Sequence, residues 1–256
     1  MYGVQHWKQL TNDKTKDLKA EVINRITGTD FLRPITYYEK IGSAQVKSCL
    51  ILAALNTPGK TIINSKKSRD HTEIMLKYLK YPIKVQRKKS YDKISVQGLN
   101  QFKSFNYDVP GDISSAAFFI VLTLLSNKSK IIIKNINVNK SRTGIITILN
   151  KMGANIKLRN RRVYNGENIA NIHVESKKKL KAINCSPDLN SAAIDEFLII
   201  FLVATKAKGI SIFKELGEMN KKESKRLNLA IKFLKKIGVK VERFKDDIKI
   251  YGNPSL

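Results

Sequence analysis

The sequence predicts an α/β protein made of three copies of one supersecondary arrangement. Three observations predict it. A long apolar run recurs, in GSAQVKSCLILAAL (Gly42–Leu55), PGDISSAAFFIVLTLL (Pro110–Leu125) and AAIDEFLIIFLVATKA (Ala192–Ala207). Each run is followed by a Lys or Gly turn and a β-branched stretch: KTIIN, KIIIKN, KGISIF. Each copy then closes with a basic-headed amphipathic segment and two short alternating strands. The apolar runs exceed the usual strand length and read as helices, whereas the β-branched stretches read as strands. Self-similarity at this spacing signals architecture before it signals activity.

Taken in order, residues 1–30 are polar, charged and expected to be irregular. FLRPITYYEKIG reads as a strand feeding the first helix, with Pro34 near its beginning, where a missing N–H is tolerated. The first helix, Ser43–Leu55, stops at Asn56-Thr57-Pro58-Gly59. A strand over Lys60–Asn64, a helix over about Asp70–Lys80 stopped by Pro82, and strands at IKVQRK and KISVQG complete copy one. In copy two Pro110-Gly111 breaks the incoming chain, and Asp112 or Ser114 can cap the helix. Gly153 and Gly238 end the second helices of copies two and three. The first helices lack a 3.6-residue stripe and are expected to be buried all round. The second helices are amphipathic, with Leu227, Ile231, Leu234 and Ile237 on one face. The expected division is a partial first domain over 31–109 with one repeat and a partial second domain over 110–256 with two. A hinge is expected near Val109–Gly111.

Composition narrows the function classes. The chain has 256 residues and 42% hydrophobic content, which suits packed domains rather than disorder. Cys49 and Cys185 lie far apart with no CxxC, against a disulfide scaffold or a Cys-rich zinc site. His6, His71 and His173 are scattered, so no metal is expected. Apolar runs such as Ala116–Leu122 are too short to span a bilayer, no signal-peptide pattern opens the chain, and a cytoplasmic location is expected. The net charge of +27 suits solvated basic faces or an anionic partner. Nucleic acid would call for a clustered basic face with interleaved aromatics; the 8% aromatic content shows no such interleaving.

Four motifs can carry chemistry. Ser43-Ala44-Gln45 opens the first helix, where free N–H groups and the dipole favour phosphate; a plain N-cap fits equally. Ser68-Arg69-Asp70-His71-Thr72-Glu73 offers a guanidinium for phosphate or carboxylate, or a capping box with a solvated Arg. Asp195, in Ile194-Asp195-Glu196, is placed to be a helix cap or a general base toward a sugar-like hydroxyl. Lys222 and Arg226, four apart on an expected helix, flank Glu223: an anion site with a proton donor, or a surface ion-pair ladder.

Together and in this order, GSAQVKS, SRDHTE, VPGDISSAAFF, IDEF and KKESKR resemble the 5-enolpyruvylshikimate 3-phosphate synthase family from about Ile35 to about Gly252. The resemblance implies an inside-out α/β barrel of βαβαββ repeats. It also implies transfer of the enolpyruvyl group of phosphoenolpyruvate to shikimate 3-phosphate, without cofactor. The alternatives are the related UDP-N-acetylglucosamine enolpyruvyl transferase and, from a different class, a basic nucleic-acid-binding repeat protein. By motif, Ser43, Ala44, Gln45, Arg69, Asp195 and Lys222 would hold shikimate 3-phosphate, and Gln45, Lys222 and Arg226 phosphoenolpyruvate. Asp195 would be the proton acceptor and Glu223 the proton donor, with Asp112 and Ser115 supporting the site wall. Lys225 stands where the family has aspartate, Asn220-Lys221 where it has Arg-Val, and Leu198 where it has proline. The family's early Lys-Ser…Arg and late Asn-Asp-His-Arg segments have no counterpart. The expectation is therefore a middle segment, served by a complementing chain.

Overall fold

The computed structural model describes residues 3–7, 23–27, 31–176, 179–220 and 224–255. The chain forms two compact units, one of Met1–Lys67 with Tyr81–Phe102, the other of Ser68–Lys80 with Lys103–Leu256.

In the first unit, strands β1 (Gly3–Trp7) and β2 (Ile23–Thr27) pair antiparallel within the segment expected to be irregular. The core of the unit is built from β3 (Thr36–Glu39), helix α1 (Ala44–Leu55), β4 (Lys60–Lys66), β5 (Ile83–Arg87) and β6 (Tyr91–Gln97). The sheet runs β3-β4-β6-β5, with β3 parallel to β4 and the other pairs antiparallel. Burial alternates along β4 and β6, so Thr61, Ile63 and Ser65 share the inward side with Asp92, Ile94 and Val96. Ile51 and Ala54 of α1 are buried with them.

The second unit contains two further copies. Helix α2 (His71–Tyr78) belongs to it, because its anchors lie there. Then come α3 (Ile113–Leu125), β7 (Lys130–Asn137), α4 (Gly144–Lys151), β8 (Asn155–Tyr164) and β9 (Glu167–Glu175). The last copy has β10 (Asn184–Cys185), α5 (Asn190–Ala193), α6 (Phe197–Lys206), β11 (Gly209–Phe213), α7 (Arg226–Lys236), β12 (Val241–Phe244) and β13 (Asp247–Gly252). Its sheet order, β10-β11-β13-β12 with β10 parallel to β11, repeats the topology of the first unit. In the middle copy the order is β7-β9-β8, and the incoming strand shrinks to one parallel bridge, Gly111 to Ile136. Pro110 explains the shrinkage, since it offers no N–H to a ladder. Register shifts interrupt β7 between Ile133 and Ile136 and β8 between Arg159 and Arg162. Asn135 and Asn160 take positive φ (55° and 51°) inside those interruptions, a conformation asparagine tolerates better than most residues.

A shared close approach ties the copies together. A Cβ on Gly98 would lie 1.8 Å from the Thr57 carbonyl oxygen, and one on Gly252 2.0 Å from that of Ala207. In both copies the last strand ends against the C-terminal carbonyls of the first helix, leaving room only for glycine.

The core of the second unit gathers Ile120 of α3, Ile148 and Leu149 of α4, Phe197 and Phe201 of α6, Phe213 of β11 and Leu227 of α7. Phe201 meets Phe213 edge-on at 5.1 Å between centroids. The expectation that the first helices are buried all round is corrected here. Phe118, Phe119 and Leu122 of α3 are 65%, 56% and 64% exposed, and Leu198 of α6 is 42% exposed. These helices are apolar on every side, but the described residues cover one side of each far less than the other.

Candidate active site

Asp195 is the centre of the site, and helix breakage puts it there. Within the run Ala192–Ala207, α5 ends at Ala193, residues 194–196 form a turn, and α6 starts at Phe197. Asp195 therefore does not cap α6. Glu196 occupies the cap position and makes no side-chain cap bond. Arg69, directly before α2, donates to Asp195 Oδ2, and Arg226, the first residue of α7, donates to Oδ1 at 3.0 Å. The three side chains are 26–29% exposed, so the cluster is reachable from solvent yet shielded enough for charge to matter. Burial alone would raise the Asp195 carboxyl; the Arg69 and Arg226 guanidinium groups outweigh it and hold the group below the usual carboxylate range.

The segment carrying Arg69 is pinned from two sides. Asn139 Nδ2 donates to Asp70 Oδ1 at 2.8 Å, and His71 Nδ1 pairs with the buried Glu167. Asp70 sits at the cap position of α2 but makes no side-chain cap bond, so the capping-box reading does not hold there. Ser68 Oγ is buried with no hydrogen-bond partner.

Arg142 was missed. It stands just before α4, as Arg69 stands before α2 and Arg226 opens α7, so the threefold repeat was the signal that could have found it. Arg142 Nη2 donates to Asp112 Oδ1 (3.0 Å) and to Ser114 Oγ (2.5 Å), and Ser114 donates to Glu196. Asp112 caps α3 by accepting from the N–H of Ser115 at 2.9 Å. Burial pushes the Glu196 carboxyl up, opposed by the Ser114 hydrogen bond and the Arg142 charge and aided by the neighbouring Asp195.

An open pocket of about 430 Å³ adjoins the cluster, lined by Ser114, Phe118, Asp195, Glu196, Leu198, Arg226, Leu229 and Phe233 among others. A larger cavity of about 590 Å³ is lined by Glu215, Glu218, Asp246 and Asp247 with one cation, Lys245. Four carboxylates give that second cavity the wrong sign for phosphate.

Lys222 and Glu223 lie outside the described residues. Lys225 is the cap residue of α7 and Arg226 its first residue; the expected i, i+4 face from Lys222 to Arg226 falls in part outside the described residues. In the first unit Ser43 caps α1 by accepting from the Val46 N–H at 3.3 Å, and Gln45 is exposed. The loop N–H groups of Ile41, Gly42 and Ser43 are not open for an anion, because the buried Glu39 carboxylate accepts all of them at 2.8–3.2 Å.

Fold and site together define an α/β protein of repeated βαβαββ units that sets a carboxylate between two guanidinium groups where its helices begin. The family described as EPSP synthase (3-phosphoshikimate 1-carboxyvinyltransferase) matches residues 13–255, and the chain belongs to that family. It is similar to the 3-phosphoshikimate 1-carboxyvinyltransferase of Vesicomyosocius okutanii, 44% identical over 229 residues, covering 89% of this chain and 52% of that protein. The Bacillus pumilus protein of the same name is 39% identical over 250 residues, covering 94% and 57%. An EPSP synthase structure from Acinetobacter baumannii superposes with a TM-score of 0.81 at 34% identity, covering 98% of this chain and 54% of that one. The chain thus spans about half the length of the curated relatives it matches, and it shares the fold of those structures. No helix among the described residues is long and apolar enough to cross a membrane.

Proposed function

We infer that the chain takes part in transferring the enolpyruvyl group of phosphoenolpyruvate to the 5-hydroxyl of shikimate 3-phosphate, with release of phosphate, in the cytoplasm. The observation that carries this reading is Asp195 held between Arg69 and Arg226 beside an open pocket. In the reading, Arg69 binds the phosphate side of shikimate 3-phosphate and Arg226 binds phosphoenolpyruvate. Asp195 accepts the proton of the attacking hydroxyl. The hydroxyl oxygen adds to C2 of phosphoenolpyruvate while Glu223 delivers a proton to C3; the adduct then loses phosphate and a C3 proton. Lys222 contacts both substrates near their junction. Ser43, Ala44 and Gln45 of the first unit carry the corresponding proposal for shikimate 3-phosphate, and Gln45 for phosphoenolpyruvate.

The ion pairs give the reading a mechanism. With its pKa held down by two guanidinium groups, Asp195 is a weak base at rest. Anionic substrates compete for both guanidinium groups, and each one drawn away returns basicity to the carboxylate. The base is thereby switched on by the substrates it serves. Full turnover is proposed to require polypeptide equivalent to the share of the relatives that this chain does not match, continuous with it or supplied as a complementing chain. The test is phosphate release from the two substrates by the chain mixed with the unmatched part of the Bacillus pumilus protein. Release that falls by at least about a hundredfold in Asp195→Ala supports the reading; release that is equal in the variant contradicts it.

A further inference from the structure

Glu196 is 3% exposed, yet it carries a carboxyl group. An apolar side chain of similar size would fill the space without the desolvation cost, so the cost must be offset by what the carboxyl group holds. It accepts from Ser114 of α3, whose oxygen accepts from Arg142 ahead of α4, which also pairs with Asp112 at the cap of α3. The Arg142 side chain is 16% exposed and its Nη2 serves both Asp112 and Ser114, so the guanidinium group is committed to this network rather than to solvent. The starts of α3, α4 and α6 are thereby tied together. Successive residues in a helical turn project about 100° apart, so fixing Glu196 inward fixes where its neighbour points.

We propose that Glu196 is a positioning residue: anchored through Ser114 to Arg142 and Asp112, it sets the 194–196 turn so that Asp195 meets Arg69 and Arg226. This rests on the reading of Asp195 as the substrate-facing base. The charged groups around the pair come from every side. Arg69 from the segment before α2 and Arg226 from α7 face Asp195. Arg142 acts on Glu196, as do the ionised Asp195 and, more weakly, Arg69.

The test is a carboxyl-carbon NMR titration of Asp195 in the full chain, combined with calorimetric binding of shikimate 3-phosphate. Removing the Glu196 charge by itself must leave the Asp195 midpoint nearly unchanged, because Glu196, held above the usual range, is already protonated where Asp195 titrates. Losing the anchored turn must raise it, because the guanidinium contacts loosen. Glu196→Ala is expected to raise the midpoint and weaken shikimate 3-phosphate about tenfold. Glu196→Gln, which still accepts from Ser114, is expected to leave the midpoint near that of the unaltered chain and to keep the affinity. Ser114→Ala, which spares both carboxyl groups, is expected to behave like Glu196→Ala and serves if that variant does not fold. A midpoint that falls or stays in both alanine variants, or a folded Gln variant that fails to rescue, overturns the proposal. If the unaltered chain binds no shikimate 3-phosphate but the midpoints move as described, the functional reading fails and the positioning role stands.

Discussion

Asp195 and Glu196 are consecutive carboxyl groups driven in opposite directions by what surrounds them. Asp195 is lowered because Arg69 and Arg226 outweigh its burial; Glu196 is raised because burial outweighs Ser114 and Arg142. The consequences for stability have opposite signs. Unfolded carboxyl groups titrate near 4. Asp195, with its folded value below that, contributes stability present above about pH 4 and lost as the pH falls through the folded value. Glu196, with its folded value above that, contributes stability present below about pH 4 and lost as the pH rises through the folded value. Urea unfolding of Asp195→Asn is expected to show a deficit against the unaltered chain at pH 7 that narrows as the solution is acidified. For Glu196→Gln the difference should turn in the variant's favour as the pH rises. A deficit in Asp195→Asn that is constant with pH would mean that the arginine pairs do not lower Asp195.

Helix ends, more than helix bodies, decide what this chain can do. Arg69, Arg142 and Arg226 all stand where a second helix of a repeat begins, and the acidic residues they meet stand where first helices begin. Two variants test the elements that fix this geometry. Gly252→Ala forces a methyl group into the Ala207 carbonyl and is expected to destabilise by roughly 1–3 kcal/mol, read from the urea midpoint. Asp112→Ala removes both the α3 cap and an Arg142 partner and is expected to cost about 1 kcal/mol or more. The helices and most strands were legible because apolar runs, β-branched stretches and Gly or Pro stops agree along the chain. β10 was not, since two residues carry no periodicity. The start of α6 was legible to within two residues, since Asp195 was read as its cap, but the four-residue α5 ahead of it was not, because so short a helix carries no periodicity. Asp195, Arg69 and Arg226 were legible as parts of one substrate site from motif order and the resemblance, but the direct ion pairs between them were not, because Arg69 and Asp195 are 126 residues apart.

The second unit has one dense core and a flank of apolar helix surface that solvent reaches. Phe201 is fully buried and Phe119 is 56% exposed, although both come from apolar runs of the same kind. Phe201→Ala is expected to cost about 3–5 kcal/mol, whereas Phe119→Ser should change stability by no more than about 0.5 kcal/mol. Matched urea curves decide this, and equal losses would mean that the α3 flank is packed in solution. The net charge of +27 bears on the ligand as well. A basic chain attracts any anion, so affinity alone is a weak sign of a site, and dependence on one guanidinium is a strong one. The decisive measurement is calorimetric titration of the folded chain with shikimate 3-phosphate at physiological salt, alongside Arg69→Ala. Saturable one-to-one binding, weakened about tenfold or more by losing the Arg69 fork, is the expected result. Absence of saturable binding, or binding that is unchanged in Arg69→Ala, would contradict the assignment of the Arg69–Asp195–Arg226 cluster as the substrate site.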